Sequence, residues 1–400
     1  MGISRNFFVF FFSILISVSS HAQTKNSLEL YGFLITDAGY NFNTIDPLWY
    51  DVMRPTKLPS HQGQFAPEGN VFYSVRQTKF GVKSNVFIGR RELKTQFDFD
   101  FVGFGKDAGQ TTFHVVNAYA QLGKFGVGQT PSVFMDTEVF PQTLDYWGPA
   151  SRVFFLNVQI RYIPIQKTIE RLIVALERPG ATSDGGDYAG RIDLPAVKPQ
   201  FIVPNLTAHY RNGGTWGYVQ AGGIAKSIKW KDTSGSILYN LSGSAFAWGF
   251  NLSTILKLTK DIKLKVQGEY GTGIENYIAD AGVDIGRESN PGNPSQPIKG
   301  QTLPIFGLFS FAEIDWNKSL KSSIGYSFVS IENSDMQSAE AFHKGRYALV
   351  NLRYQPVDNA MIGIEYQYGE KETFKNGFHS NSSKLQLSFE FFFSKVFKTE

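Results

Sequence analysis

The sequence predicts an all-β fold: a transmembrane antiparallel β-barrel of about sixteen strands, with short periplasmic turns and long extracellular loops. Three observations lead there. Apolar and polar residues alternate with period two in runs of 9 to 12 residues. Strands of globular proteins are most often about 5 or 6 residues long, whereas a tilted strand needs about 9–11 to cross a bilayer. The apolar faces carry Phe, Tyr and Trp near their ends, as interfacial girdles require. Finally, the connections between runs alternate between long and short.

Composition fits. The 400 residues are 42% hydrophobic and 15% aromatic, with 39 glycines, no cysteine and a formal net charge of +4. That is too apolar for disorder. Absence of Cys excludes disulfide scaffolds, thiolate zinc sites and cysteine nucleophiles. A charge this small does not call for nucleic acid, which needs clustered basic faces. Mean hydropathy is slightly negative, as expected where only alternate residues of each strand meet lipid.

The chain opens with an address. Arg5 precedes the apolar core Phe7 to Val18, and Ser20-His21-Ala22 places small residues at the −3 and −1 positions of a cleavage site. Residues 1–22 are therefore expected to be a secretory signal peptide, too short to span a membrane. Losing Arg5 leaves +3 on residues 23–400, the expected barrel. No later run of 18 apolar residues occurs.

The strands are expected near 28–40, 71–83, 91–104, 110–122, 125–130, 153–162, 170–178, 200–211, 216–229, 244–258, 262–271, 302–315, 319–331, 344–355, 360–369 and 384–397. Five show a clean phase. Phe97, Phe99 and Phe101 oppose Gln96, Asp98 and Asp100, while Val158, Ile160 and Tyr162 oppose Asn157, Gln159 and Arg161. Phe246, Trp248, Phe250 and Leu252 oppose Ala247, Gly249, Asn251 and Ser253. Leu264, Val266 and Tyr270 oppose Lys263, Lys265, Gln267 and Glu269. Leu385, Leu387, Phe389 and Phe391 oppose Lys384, Gln386, Ser388 and Glu390. Three strands are less regular. In 71–83 the parity of Val71, Tyr73 and Val75 conflicts with that of Phe80 and Val82, so Arg76 and Lys79 both reach the lumen only across a bulge. The strand at 125–130 is short. The strand at 302–315 is apolar on both faces, as at a subunit contact or a plugged wall.

Long connections are expected at 41–70, 105–109, 131–152, 179–199, 230–243, 272–301, 332–343 and 370–383. Between them lie turns such as Asn212–Thr215, Thr259–Asp261, Trp316–Lys318 and Pro356–Asn359. An even strand number puts both termini on one side, and lipid forbids an open sheet edge, so the sheet must close. The aromatic final strand, ending at Phe397, suits recognition by barrel-assembly machinery.

No constellation for covalent chemistry appears. The six histidines are dispersed, no G-x-S-x-G elbow is present, and neither Gly103-Phe104-Gly105 nor Gly126-Val127-Gly128 completes a dinucleotide fingerprint. No cofactor and no metal ligand set is expected. Asp98 and Asp100 read as lumen lining, and 272–301 as a solvated surface loop. The segment 131–152 differs: Phe134, Phe140, Tyr146 and Trp147 stand beside Asp136, Glu138, Asp145 and Arg152. Large aromatics suit a loop folded inward on the wall, where those charged residues would help set the field of a constriction.

Several stretches resemble the DcaP-like family of outer-membrane porins. They are Asp46-Pro47-Leu48-Trp49-Tyr50-Asp51 with Arg54-Pro55-Thr56-Lys57-Leu58-Pro59, Arg76-Gln77-Thr78-Lys79-Phe80-Gly81-Val82-Lys83, Phe134-Met135-Asp136, Asp145-Tyr146-Trp147-Gly148-Pro149 and Ala175-Leu176-Glu177-Arg178-Pro179-Gly180. The resemblance implies a sixteen-stranded trimeric porin in the outer membrane of a Gram-negative bacterium, passing small hydrophilic solutes with a preference for anions such as dicarboxylates. It makes Arg76, Lys79 and Arg161 candidates for the solute path. Lys94, Asp98, Asp100 and Arg353 join them by lumen phase. Members often carry an N-terminal coiled-coil segment; here only Gln23 to Ser27 precede the first strand. Lumen charges nearly balance, with seven basic against six acidic on the best-phased faces, so the sign of selectivity comes from the resemblance. A barrel enzyme or ligand-binding receptor using lumen carboxylates is the alternative.

Overall fold

The computed structural model describes residues 26–180 and 191–399; the expected signal peptide lies outside the described residues. The barrel strands are β1 (Ser27–Asn41), β2 (Asn70–Ser74 and Lys79–Ile88), β3 (Arg91–Val102), β4 (Thr111–Leu122), β5 (Phe125–Pro131), β6 (Leu156–Gln166), β7 (Glu170–Glu177) and β8 (Val197–Gln200 and Asn205–Gly214). They continue with β9 (Gly217–Asp232), β10 (Gly243–Lys257), β11 (Ile262–Thr272), β12 (Pro304–Asp315), β13 (Leu320–Ile331), β14 (Phe342–Val357), β15 (Ala360–Thr373) and β16 (His379–Lys398). Each pairs antiparallel with its neighbours. β16 pairs with β1 from Ser27↔Lys398 to Asn41↔Lys384, which closes the sheet. Closure satisfies every edge, as a spanning sheet requires.

The expected phases hold. On β10 Phe246, Phe250 and Leu252 are exposed outward while Ala247, Asn251 and Ser253 are buried inward. On β16 Lys384, Gln386 and Ser388 face in. β2 resolves its parity conflict by breaking at 75–78. There the Thr78 hydroxyl replaces the ladder, accepting from Ile35 N–H at 3.1 Å. Across the break both cations turn inward: Arg76 pairs with Asp51, and Lys79 lies 2.9 Å from Asp98. β8 is also broken, both pieces pairing with β9. The connection expected at 370–383 shrinks to 374–378, because the β15–β16 ladder runs on to Glu372↔His379.

Three long connections fold into the barrel: 42–69 (L1), 132–155 (L3) and 273–303 (L6). They explain the two-sided wall of β12. Phe306 and Leu308 face out, while Ile305, Phe309 and Phe311 face in and are fully buried. Val153 and Phe155 of L3, Met53 and Leu58 of L1, and Ile274, Tyr277 and Ile278 of L6 join these inward residues in one apolar cluster. Phe155 stacks on Tyr277 with ring centroids 4.1 Å apart. Each such ring contributes roughly 2–3 kcal/mol by leaving water. The first part of 272–301 is thus not a solvated loop: Ile274 to Tyr277 are buried, and only its later part extends as the hairpin Ile285–Ser289 with Ile298–Thr302.

Candidate functional site

L3 leaves β5 at Pro131 and crosses the lumen before joining β6 at Leu156. Wall side chains hold its backbone along the way. At its start, Ser132 Oγ and Val133 N–H donate to Glu177 on β7 at 2.8 and 2.9 Å. Gln220 and Asn251 then donate to the carbonyls of Met135 and Phe134. Asp136 accepts from Arg211 at 2.6 Å, Tyr218 at 2.8 Å and Ser253 at 2.6 Å, on β8, β9 and β10. Further on, Lys265 donates to Phe140 O at 2.7 Å, and Gln142 N–H donates to Glu313 on β12 at 2.8 Å.

The far wall holds the middle of the loop. Glu365 on β15 accepts the N–H groups of Leu144 and Asp145 at 2.8 and 3.0 Å. Gln77 and Gln386 donate to Leu144 O. Asp145 accepts from Tyr347 at 2.9 Å, Met53 N–H at 3.2 Å and Lys384 at 3.4 Å. On the return, Tyr146 donates to Asp100 on β3, Ser151 N–H to Ser327 on β13, and Val153 N–H to Gln267 on β11. Carboxylates accepting backbone N–H groups make stronger hydrogen bonds than neutral acceptors. L3 is therefore a fixed strap across the lumen. The chain has no cysteine, so Ser151→Cys/Ser327→Cys, whose hydroxyl oxygens lie 3.0 Å apart, is expected to oxidise to a disulfide. Single-channel conductance should stay at its wild-type level; a large change on oxidation would mean that this end of the strap moves.

Beneath the strap, toward the short turns, lies a cavity of about 610 Å³ whose lining includes Arg211, Lys257, Lys263, Lys265, Lys321 and Arg353 against Glu138, Glu313 and Asp315. Elsewhere on the strap and in L1, cations alternate with rings. Arg54 sits between Trp49 at 4.2 Å and Trp147 at 3.8 Å, and also holds Asp280. Arg152 sits between Phe140 at 4.7 Å and Phe154 at 4.6 Å.

The sequence candidates divide by pairing. Arg76, Lys79 and Lys94 are held by Asp51, Asp98 and Glu92. Every candidate carboxylate has a donor: Asp98 has Lys79, Tyr31 and Asn117; Asp100 has His114 and Tyr146; Asp136 and Glu138 share Arg211; Asp145 has Lys384. Among the described residues Arg152, Arg161 and Arg353 have no carboxylate within hydrogen-bonding or ion-pair distance. Arg152 donates to Tyr146 O, Arg161 to Pro131 O and Gln159, and Arg353 to Gln142. Sequence reasoning did not single out Arg54, Arg211, Glu177 or Glu365. The inward phases of β7, β8 and β15 carry the last three, but which wall residue meets the strap is a long-range fact.

Residues 17–276 match the family described as DcaP outer membrane protein. No curated protein matches the sequence. Among solved structures, the outer membrane channel DcaP of Acinetobacter baumannii is similar at 18% identity and a TM-score of 0.76, covering 94% of this chain and 99% of that one. An anion-selective porin from Comamonas acidovorans is similar at 8% identity and 0.59, covering 92% and 100%. OmpT of Vibrio cholerae gives 13% identity and 0.57, covering 94% and 99%.

Proposed function

Because the chain belongs to the DcaP outer membrane protein family and closes a sixteen-stranded barrel, we propose that it is an outer-membrane channel for passive diffusion of small hydrophilic solutes, with a preference for anions such as dicarboxylates. One observation carries the sign of the preference. Each of the five candidate carboxylates has a donor, with Asp136 and Glu138 sharing one guanidinium, whereas Arg152, Arg161 and Arg353 have no carboxylate within ion-pair distance. Unpaired charge at a constriction decides selectivity more than totals do. The cavity beneath the strap, Arg353 included, is lined by six cations against three anions, which would concentrate anions below it.

Supporting likenesses point the same way: the Comamonas protein is an anion-selective porin, and the Vibrio OmpT has a trimer form. We take the assembly here to be a homotrimer as well. The pairing argues against lumen carboxylates acting as a receptor or catalytic site, since Asp98 is ringed by Lys79, Tyr31, Gln96 and Asn117. Proteoliposome swelling tests the proposal. Succinate should enter faster than putrescine, a cation of similar length, and much faster than a large oligosaccharide. Equal rates for succinate and putrescine would remove the anion preference, and no swelling with either would remove the channel.

A further inference from the structure

The outward face of the barrel carries a group of cations that no carboxylate among the described residues pairs with. β8 and β9 extend past the apolar band on the side of the long loops. There Lys198 stands directly opposite Lys231, and Lys229 opposite Gln200. All three lysines are exposed. Their phase is that of the outward residues, since Trp230 between the last two is buried inward. Like charges directly opposed across strands destabilise a sheet unless a counter-charge lies between them. Among the described residues no carboxylate forms an ion pair with any of the three. The contrast with another outward rim is direct: on β14 Lys344 and Arg346 are matched by Glu372 and Glu370 of β15.

Position supplies the second argument. Along the same outward face, Lys229 is opposite Ser244 and the next pair is Ser227↔Phe246. Below follow Trp248, Phe250 and Tyr270, with Trp248 centred 5.5 Å from Phe250 and 5.9 Å from Tyr270. Trp and Tyr mark the membrane–water interface. Two residues of strand rise about 7 Å, so the lysines stand just beyond this aromatic belt, where long cationic side chains reach lipid headgroups.

We propose that Lys198, Lys229 and Lys231 form a binding site for the phosphate groups of an outer-leaflet glycolipid, held against β8–β10 by its phosphates above and its acyl chains on Phe246, Trp248 and Phe250 below. The test is titration of the detergent-released protein with lipid A, read by native mass spectrometry. Each lysine near an anionic lipid surface is worth about fivefold in binding. The triple variant Lys198→Gln/Lys229→Gln/Lys231→Gln should therefore bind on the order of a hundredfold more weakly. Lys198→Arg/Lys229→Arg/Lys231→Arg should bind as wild type does. Dephosphorylated lipid A should bind both triple variants and wild type equally weakly. Inorganic phosphate, at ionic strength matched with chloride, should displace no lipid. Unchanged binding by the Gln variant would overturn the proposal, as would displacement by inorganic phosphate, which would mark a site for the free ion. Should the Gln variant fail to fold, by its heat-modifiable mobility, added KCl decides on wild type. Affinity that falls with salt supports the site; affinity indifferent to salt overturns it.

Discussion

Arg152→Glu is expected to move the reversal potential in a KCl gradient from the anion side toward the cation side, the largest selectivity change available from one substitution. The guanidinium of Arg152 is buried between Phe140 and Phe154 on the strap and donates only to the Tyr146 carbonyl. No carboxylate lies within ion-pair distance of it, and Asp145 offsets its charge only at longer range, so its field acts on whatever passes the strap. A unit charge about 6 Å from a permeating ion, at an effective dielectric near 40, contributes about 1.4 kcal/mol, or tenfold in relative permeability. The substitution changes the charge by two units, about a hundredfold for each ion and in opposite senses for anion and cation, so the anion-to-cation ratio should fall by about a hundredfold or more. Arg152→Lys keeps the charge and should leave the sign intact. A reversal potential unmoved by Arg152→Glu would place this residue off the solute path.

Glu365→Leu is expected to have the largest effect on conductance. Glu365 is fully buried on β15 and accepts from Leu144 N–H, Asp145 N–H, Asn351 and Gln367. Hydrogen bonds to charged groups are worth about 1.5–3 kcal/mol each, so the middle of the strap loses several kcal/mol of anchoring. Its ends stay fixed, by Asp136 on Arg211 and by Ser151 on Ser327. The expected record is a higher, flickering conductance, with Glu365→Gln intermediate because an amide oxygen still accepts one N–H. Steady traces at the wild-type level would mean that Glu365 does not hold the strap.

Much of this plan is legible in residue order. The best-phased strands are legible from local alternation, which is why Asp98, Arg161, Lys265 and Lys384 could be assigned to the lumen without coordinates. In 131–152 the aromatic content was legible as well, since Phe134, Tyr146 and Trp147 need something to pack on. What alternation does not carry is who meets whom. The break in β2 was visible only as a conflict of parity between Val75 and Phe80; the Thr78–Ile35 bonds that accommodate it join residues 43 apart in sequence. The apolar inner face of β12 looked anomalous until Phe309 and Phe311 were seen to share one apolar cluster with residues of L1, L3 and L6. Ile274 and Tyr277 sit in a long loop with Asp280 and Asp284, which local composition renders as solvated. Ion pairing was the least accessible feature: seven cations against six anions read as balance, but which of them meet, as Lys265 meets Glu313 and Lys384 meets Asp145, is not written in residue order.

Single-channel recording in planar bilayers tests the central claim most directly. The account predicts stepwise, ohmic openings by the purified wild-type protein and, in a KCl gradient, a reversal potential on the chloride side. Protein correctly folded by its heat-modifiable mobility that gives no openings, or that reverses on the potassium side, would contradict it.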